Sequence, residues 1–163
     1  MIRFFVIYFI LITIGMSMLE LPILDNFYRN FGELLAILTG NLIRLFDSSV
    51  IVNKAILTQL STGFALEVTR ECLAVETTML FSVAVFIWHA TWQQKLRWLL
   101  PSILLIQIIN IVRLITLLYL GKWFPDYFDL IHENLWPLIF VLLILMLLIY
   151  WSASLEDHKL TTE

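Results

Sequence analysis

Four stretches of nearly uninterrupted apolar residues run along the chain, roughly Phe4 to Leu19, Leu73 to Trp92, Leu99 to Leu120 and Leu135 to Trp151. Each is near the ~20 residues an α-helix needs to cross the hydrocarbon core of a bilayer, the first and last being slightly short. The pattern predicts an all-α integral membrane protein with about four transmembrane helices. The long segment from Glu20 to Glu71 reads differently. Between Phe27 and Phe46 the positions Phe27, Phe31, Leu34, Leu35, Leu38, Leu42, Leu45 and Phe46 recur at helical spacing, interrupted by Arg29, Asn30, Glu33, Asn41 and Arg44. That suits an amphipathic helix lying in the membrane surface. From Val50 to Val68 the turn signal Ser61-Thr62-Gly63 precedes an alternation of Phe64, Leu66 and Val68 with Ala65, Glu67 and Thr69. Period-2 alternation after a turn predicts a small hairpin, which leads directly into Cys72. No repeat, low-complexity tract or linker divides the chain, so residues 1–163 read as a single membrane-embedded domain.

Composition narrows the class. Hydrophobic residues make up 61% of the chain and charged ones 14%, against about 45–50% and a quarter in soluble domains. A soluble domain, a disordered chain and a nucleic-acid binder are excluded. The net charge of −3 is mild and points to no partner. A single cysteine leaves no disulfide framework and no multi-cysteine metal site, and nothing in the pattern asks for a cofactor. The first apolar run is followed by Met18-Leu19-Glu20-Leu21-Pro22 rather than a small-residue cleavage site, so it reads as a retained span.

Orientation follows from the short flanks. Arg3, the pair Lys95 and Arg97, and Lys159 all fall on one side of a four-span chain, which the positive-inside rule makes cytoplasmic. The helix, the hairpin and the loop from Gly121 to Ile131 then lie outside. Arg29, Arg44, Lys54 and Arg70 sit in the long segment, where they weigh little in that rule. If the Phe27–Phe46 helix crossed the bilayer, Lys95 and Arg97 would move outside.

Ionisable residues inside spans are costly and mark candidate sites. Glu76, His89 and Arg113 pass that filter, and Cys72 beside Glu71 and His132 beside Glu133 stand at span ends. Cys72 lies at the outer end of the second span and His132 at the outer start of the fourth. Arg113 lies eight residues before Gly121, about 12 Å below the outer end of the third at 1.5 Å per residue. His89 is at the inner end and outside this group. Each residue also has a structural reading. The cysteine could be inert filler, Arg113 could snorkel or pair with Glu76 to lock helices, and His132 could face the interface. Their coincidence at one depth favours chemistry, since chance placement would scatter them over both leaflets. Cysteine attacks as thiolate, which a helix start or a neighbouring cation favours; Cys72 opens a helix and Arg113 supplies a cation or an oxyanion donor. His132 can carry the proton of a leaving amine. The set fits nucleophilic acyl transfer through a thioester, with Glu71 and Glu76 opposing the thiolate unless Arg113 or Arg70 neutralises them.

On these residues the chain resembles the exosortase/archaeosortase family of multi-span membrane proteins. The matching pieces are Gly63-Phe64-Ala65-Leu66-Glu67 leading to Cys72 with Val75-Glu76, then Asn110-Ile111-Val112-Arg113-Leu114, then His132. Cys-x-x-Val-Glu and the short length are most similar to the exosortase H type. One departure stands out: Leu73-Ala74 follows Cys72 where the family usually has Asn-Gly or Ser-Gly. The resemblance implies Cys72, Arg113 and His132 as catalytic residues, with Glu76 and Asn110 in support. It implies secreted substrates with a C-terminal tail of motif (for the H type Ile-Pro-Thr-Leu-x-x-Trp-Gly), membrane helix and basic cluster. They would be cut on the outer side of the bacterial inner membrane, the acyl group passing to an acceptor. The residues alone leave two other functions open, a membrane acyltransferase working through Cys72 and a non-catalytic helical scaffold.

Overall fold

The computed structural model of the chain describes residues 2–160, with side chains from Val6 to Leu155. It is mostly helical, with helices α1 (Ile2–Leu19), α2 (Asp25–Arg44), α3 (Val75–Ile87), α4 (Trp92–Trp123), α5 (Phe128–Leu130) and α6 (Trp136–Leu160). Strands β1 (Val50–Asn53), β2 (Ile56–Gln59) and β3 (Ala65–Glu67) form one small sheet. The chain divides into two compact units. One comprises Met1–Glu20, Val75–Ile106 and Ile139–Glu163; the other comprises Leu21–Ala74 and Gln107–Leu138.

In the first unit α1 packs along α3. Gly15 of α1 lets Met79 of α3 approach its backbone closely, and the Tyr8 hydroxyl donates to the Leu80 carbonyl at 3.4 Å. Trp151 is fully buried, tilted against Trp88, and Trp98 meets Tyr150 edge-on. The second apolar run does not continue to Trp92 as one helix. Thr91 and Gln94 form a reciprocal capping box, the Thr91 N–H donating to Gln94 Oε1 at 3.0 Å and the Gln94 N–H to Thr91 Oγ1 at 3.4 Å. This cap starts α4 at Trp92 and separates it from α3. His89 lies in the break, and Lys95 donates to the Phe86 carbonyl at 2.6 Å across it. Arg3 and Lys159, used for orientation, have side chains outside the described residues.

Two stretches, Trp92–Trp123 and Pro125–Leu155, are each long and apolar enough to cross a membrane, and α1 with α2 makes a third if the pair counts as one span. α3 has 13 residues, about 20 Å at 1.5 Å per residue, against a hydrocarbon core of about 30 Å. The chain is thus a multi-pass helical membrane protein in which, among the described residues, two of the four expected spans qualify alone. Large apolar side chains on these helices point outward, Leu104 at 62% and Met146 and Ile149 at 67% exposure. In water such surface would be costly; in lipid it is the solvated face.

The second unit is built on α2, which packs against β1, β2 and the turn after β3. Its buried face is Tyr28, Gly32, Leu35, Ala36, Thr39, Gly40 and Ile43. A side chain at Gly40 would collide with Val52, and one at Gly32 would stand 3.1 Å from the Val68 carbonyl, so small residues let the helix lie flat on the sheet. Most of the large apolar stripe read from the sequence is on another face: Phe27, Leu34, Leu38, Leu42, Leu45 and Phe46 are exposed. The helical period was legible, but the bulky side marks the environment and the small side marks the packing. The sheet is an antiparallel meander in the order β1-β2-β3. β2 and β3 are the expected hairpin, closed through Gly63 in the left-handed region (φ 74). β1 is the addition. It turns into β2 through Lys54 at φ 55, a residue that carries no turn signal of its own. Leu66 and Val68 are buried while Ala65 and Glu67 are exposed, as the alternation predicts.

Asp47 staples this unit. Its two carboxylate oxygens accept from the Ser49 hydroxyl (2.6 Å), the Ser49 N–H (2.9 Å), the Tyr119 hydroxyl (2.8 Å) and Gln59 Nε2 (3.3 Å). Four donors fill the lone-pair sites of a carboxylate. The Ser49 hydroxyl foremost, then Tyr119, hold Asp47 ionised well below the usual carboxylate range.

Candidate active site

Cys72, Asn110, Arg113 and His132 all fall in the second unit. Cys72 is the third residue of a four-residue 3-10 turn, Arg70–Leu73, and is 2% exposed. The expectation that it opens a transmembrane helix is corrected here. α3 begins at Val75, and between them Ala74 takes a left-handed conformation (φ 53) that interrupts the helical path. Dipole effects fall off within the first turn of a helix, so the surroundings of the sulfur must come from side chains.

Those side chains come largely from α4. Gln107, Asn110 and Arg113 recur at three-residue intervals within an otherwise apolar stretch of α4 and form a slanting polar row. Each meets one carbonyl of the 3-10 turn: Gln107 Nε2 donates to Leu73 at 3.2 Å, Asn110 Nδ2 to Cys72 at 2.8 Å and an Arg113 terminal nitrogen to Glu71 at 3.3 Å. Carbonyls that a short turn leaves without intrahelical partners are thereby satisfied, and the cysteine backbone is registered against α4. Asn110 is fully buried and Arg113 is 6% exposed. The Arg113 guanidinium lies within electrostatic reach of the Cys72 thiol and the Glu71 carboxylate. Glu76, expected as its partner or as a support, stands in the first turn of α3 and belongs to the other unit.

His132 arrives from the other side. It sits in a five-residue π-helical turn, Ile131–Leu135, that widens the helix between α5 and α6; such wide turns recur at functional sites. Its Nε2 is 3.9 Å from Cys72 Sγ, bringing together residues 60 apart in sequence. The imidazole stacks on Phe128 (5.6 Å, 20° between planes), and Phe128 in turn meets Phe64 edge-on. Phe64 packs over Gly121, where any side chain would displace the ring. Arg113, Glu133, Glu71 and Asp129 are the charged groups around the imidazole.

Three contributors were not singled out from the sequence. Gln107 was signalled by its place on the same row as Asn110 and Arg113. Phe128, four residues before His132, carried no signal beyond helical spacing. Thr69, whose hydroxyl lies 3.6 Å from Cys72 Sγ, read as one polar position of a strand alternation.

A buried thiol paired with an imidazole and neighboured by a guanidinium, in a multi-pass helical membrane protein, defines the class as a membrane protein with a cysteine–histidine centre. The family model of the transmembrane exosortases (Exosortase_EpsH) matches residues 2–159. The chain belongs to the transmembrane exosortase family, as the resemblance of its motifs implied. No curated protein and no solved structure matches it.

Proposed function

We propose that the chain is a membrane cysteine transpeptidase or protease that cleaves the C-terminal sorting signals of secreted proteins through a thioester on Cys72. The observation that carries this reading is the 3.9 Å approach of Cys72 Sγ to His132 Nε2 from separate elements. An inert structural cysteine needs no such partner. Family membership supports the substrate class, a tail of motif, membrane helix and basic cluster, and the site residues support the chemistry.

In the proposed reaction His132 takes the thiol proton and the sulfur attacks the scissile carbonyl carbon. The carbonyl electron pair moves to oxygen, where the Arg113 guanidinium, with five N–H donors in a fixed fork, stabilises the oxyanion. Collapse of the intermediate breaks the C–N bond as His132 returns its proton to the amine, leaving the thioester. An acceptor amine or water then attacks, giving its proton to His132, and the sulfur leaves. Asn110 holds the Cys72 carbonyl and so fixes the thiol between Arg113 and His132. On this reading the centre faces the periplasm of a bacterial inner membrane, where a tail held by its own membrane helix slides laterally to the thiol. The short Cys-x-x-Val-Glu segment favours substrates of the H type.

The direct test is Cys72→Ala with a secreted protein carrying such a tail. Expression should be unchanged while the unprocessed substrate accumulates; normal processing by the variant would end the catalytic reading.

A further inference from the structure

We propose that Thr69 is a further catalytic residue whose hydroxyl donates to the Cys72 sulfur and stabilises the thiolate that forms when His132 takes the thiol proton; the proposal rests on the reading of Cys72 as the nucleophile. Thr69 Oγ1 lies 3.6 Å from Sγ, within hydrogen-bond range of sulfur. The backbone fixes that placement at both ends. The Thr69 carbonyl accepts the Cys72 N–H at 2.9 Å, which closes the turn, and the Thr69 N–H donates to the Glu67 carbonyl at 3.1 Å, which ties it to the end of β3. A β-branched side chain has few rotamers to choose from, so the hydroxyl is held near the sulfur at little entropic cost. Thr69 is itself exposed although the sulfur beside it is buried. Packing alone therefore does not account for a threonine at this position.

The charges facing the sulfur are mixed. Glu71 adjoins it on the same turn, Arg113 reaches it from α4, and His132 faces it from the π-helical turn with Asp129 and Glu133 beside the ring. Opposed charges cancel in part. A hydroxyl donor is different, because it favours the charged form of its acceptor through a short-range bond. Bonds to an ionised acceptor are roughly twice as strong as neutral ones. Thr69 transfers no proton in this role. As the S–C bond forms, negative charge leaves sulfur for the carbonyl oxygen and the bond weakens. When the acceptor attacks the thioester and the C–S bond breaks, the charge returns to sulfur and the bond is restored.

The test needs no substrate and uses the full chain in detergent. The rate of Cys72 alkylation by iodoacetamide is measured for wild type, Thr69→Val, which keeps the shape and removes the hydroxyl, and Thr69→Ser, which keeps the hydroxyl. At neutral pH the valine variant should react about tenfold more slowly, and serine should restore the rate. In strongly alkaline buffer, where every thiol is ionised, the three should converge. A valine variant as fast as wild type at neutral pH would overturn the proposal. So would one slowed by the same factor at every pH, since that is a steric effect, or a serine variant as slow as valine. Because no processing is measured, this outcome is independent of the Cys72→Ala assay.

Discussion

Arg113 is the residue at which charge and geometry can be told apart. It is buried, donates to the Glu71 carbonyl and lies within electrostatic reach of Cys72. If it only neutralised carboxylates or balanced charge within the membrane, lysine would serve. If its planar fork meets an oxyanion, a compact ammonium cannot reproduce it. Losing one oxyanion donor costs about 10²–10³ in rate, roughly 2.7–4 kcal/mol. Arg113→Lys should therefore express and insert normally yet turn over at least ~100-fold more slowly, as read from single-turnover processing. Near-normal turnover would leave Arg113 a structural charge. Cys72, Arg113 and His132 were legible in the sequence because each is a chemical misfit in an apolar context. Thr69 was not, since a polar residue at a strand's end is ordinary and only the closing of the turn brings its hydroxyl to the sulfur.

Among elements, the junction between the 3-10 turn and α3 is where the departure from the expected polar-Gly pair bears on the backbone. Ala74 occupies the left-handed region at φ 53 and is 5% exposed, a conformation that glycine adopts freely and that costs other L-residues roughly 1–2 kcal/mol. Glycine, usual in the family at this place, is what that backbone favours; alanine keeps the turn and bears the strain. Ala74→Gly should relieve more than the roughly 0.5–1 kcal/mol that glycine's added freedom costs. Its thermal midpoint in detergent should stay level or rise slightly. A clear fall would show that the Ala74 methyl packs more than it strains. Other elements were legible to different degrees. The β2–β3 hairpin was, through Gly63 and the alternation after it. β1 was not, because Lys54 turns the chain without a turn residue's signature. The end of the second apolar run was written in Thr91 and Gln94, a capping pair that a count of apolar residues passes over.

Taken whole, the molecule is apolar on its exposed faces as well as in its core, and that decides which parts of it can be read from a hydropathy pattern. Long runs mark the stretches Trp92–Trp123 and Pro125–Leu155, each long and apolar enough to cross a membrane. They do not tell which side of an amphipathic helix packs: α2 lays Gly32, Ala36 and Gly40 on the sheet and turns Phe27, Leu38 and Leu42 outward. Within this frame polar side chains are few, and those on one row of α4 are spent on fixing the backbone of a single buried cysteine. The central claim is that this cysteine carries the substrate as a thioester, and trapping that intermediate tests it most directly. Processing in the presence of hydroxylamine should yield substrate ending in a hydroxamate at the cleavage point, detected by mass spectrometry, with none formed by Cys72→Ala. Cleavage that proceeds in hydroxylamine without any hydroxamate, or hydroxamate formed equally by Cys72→Ala, would contradict it.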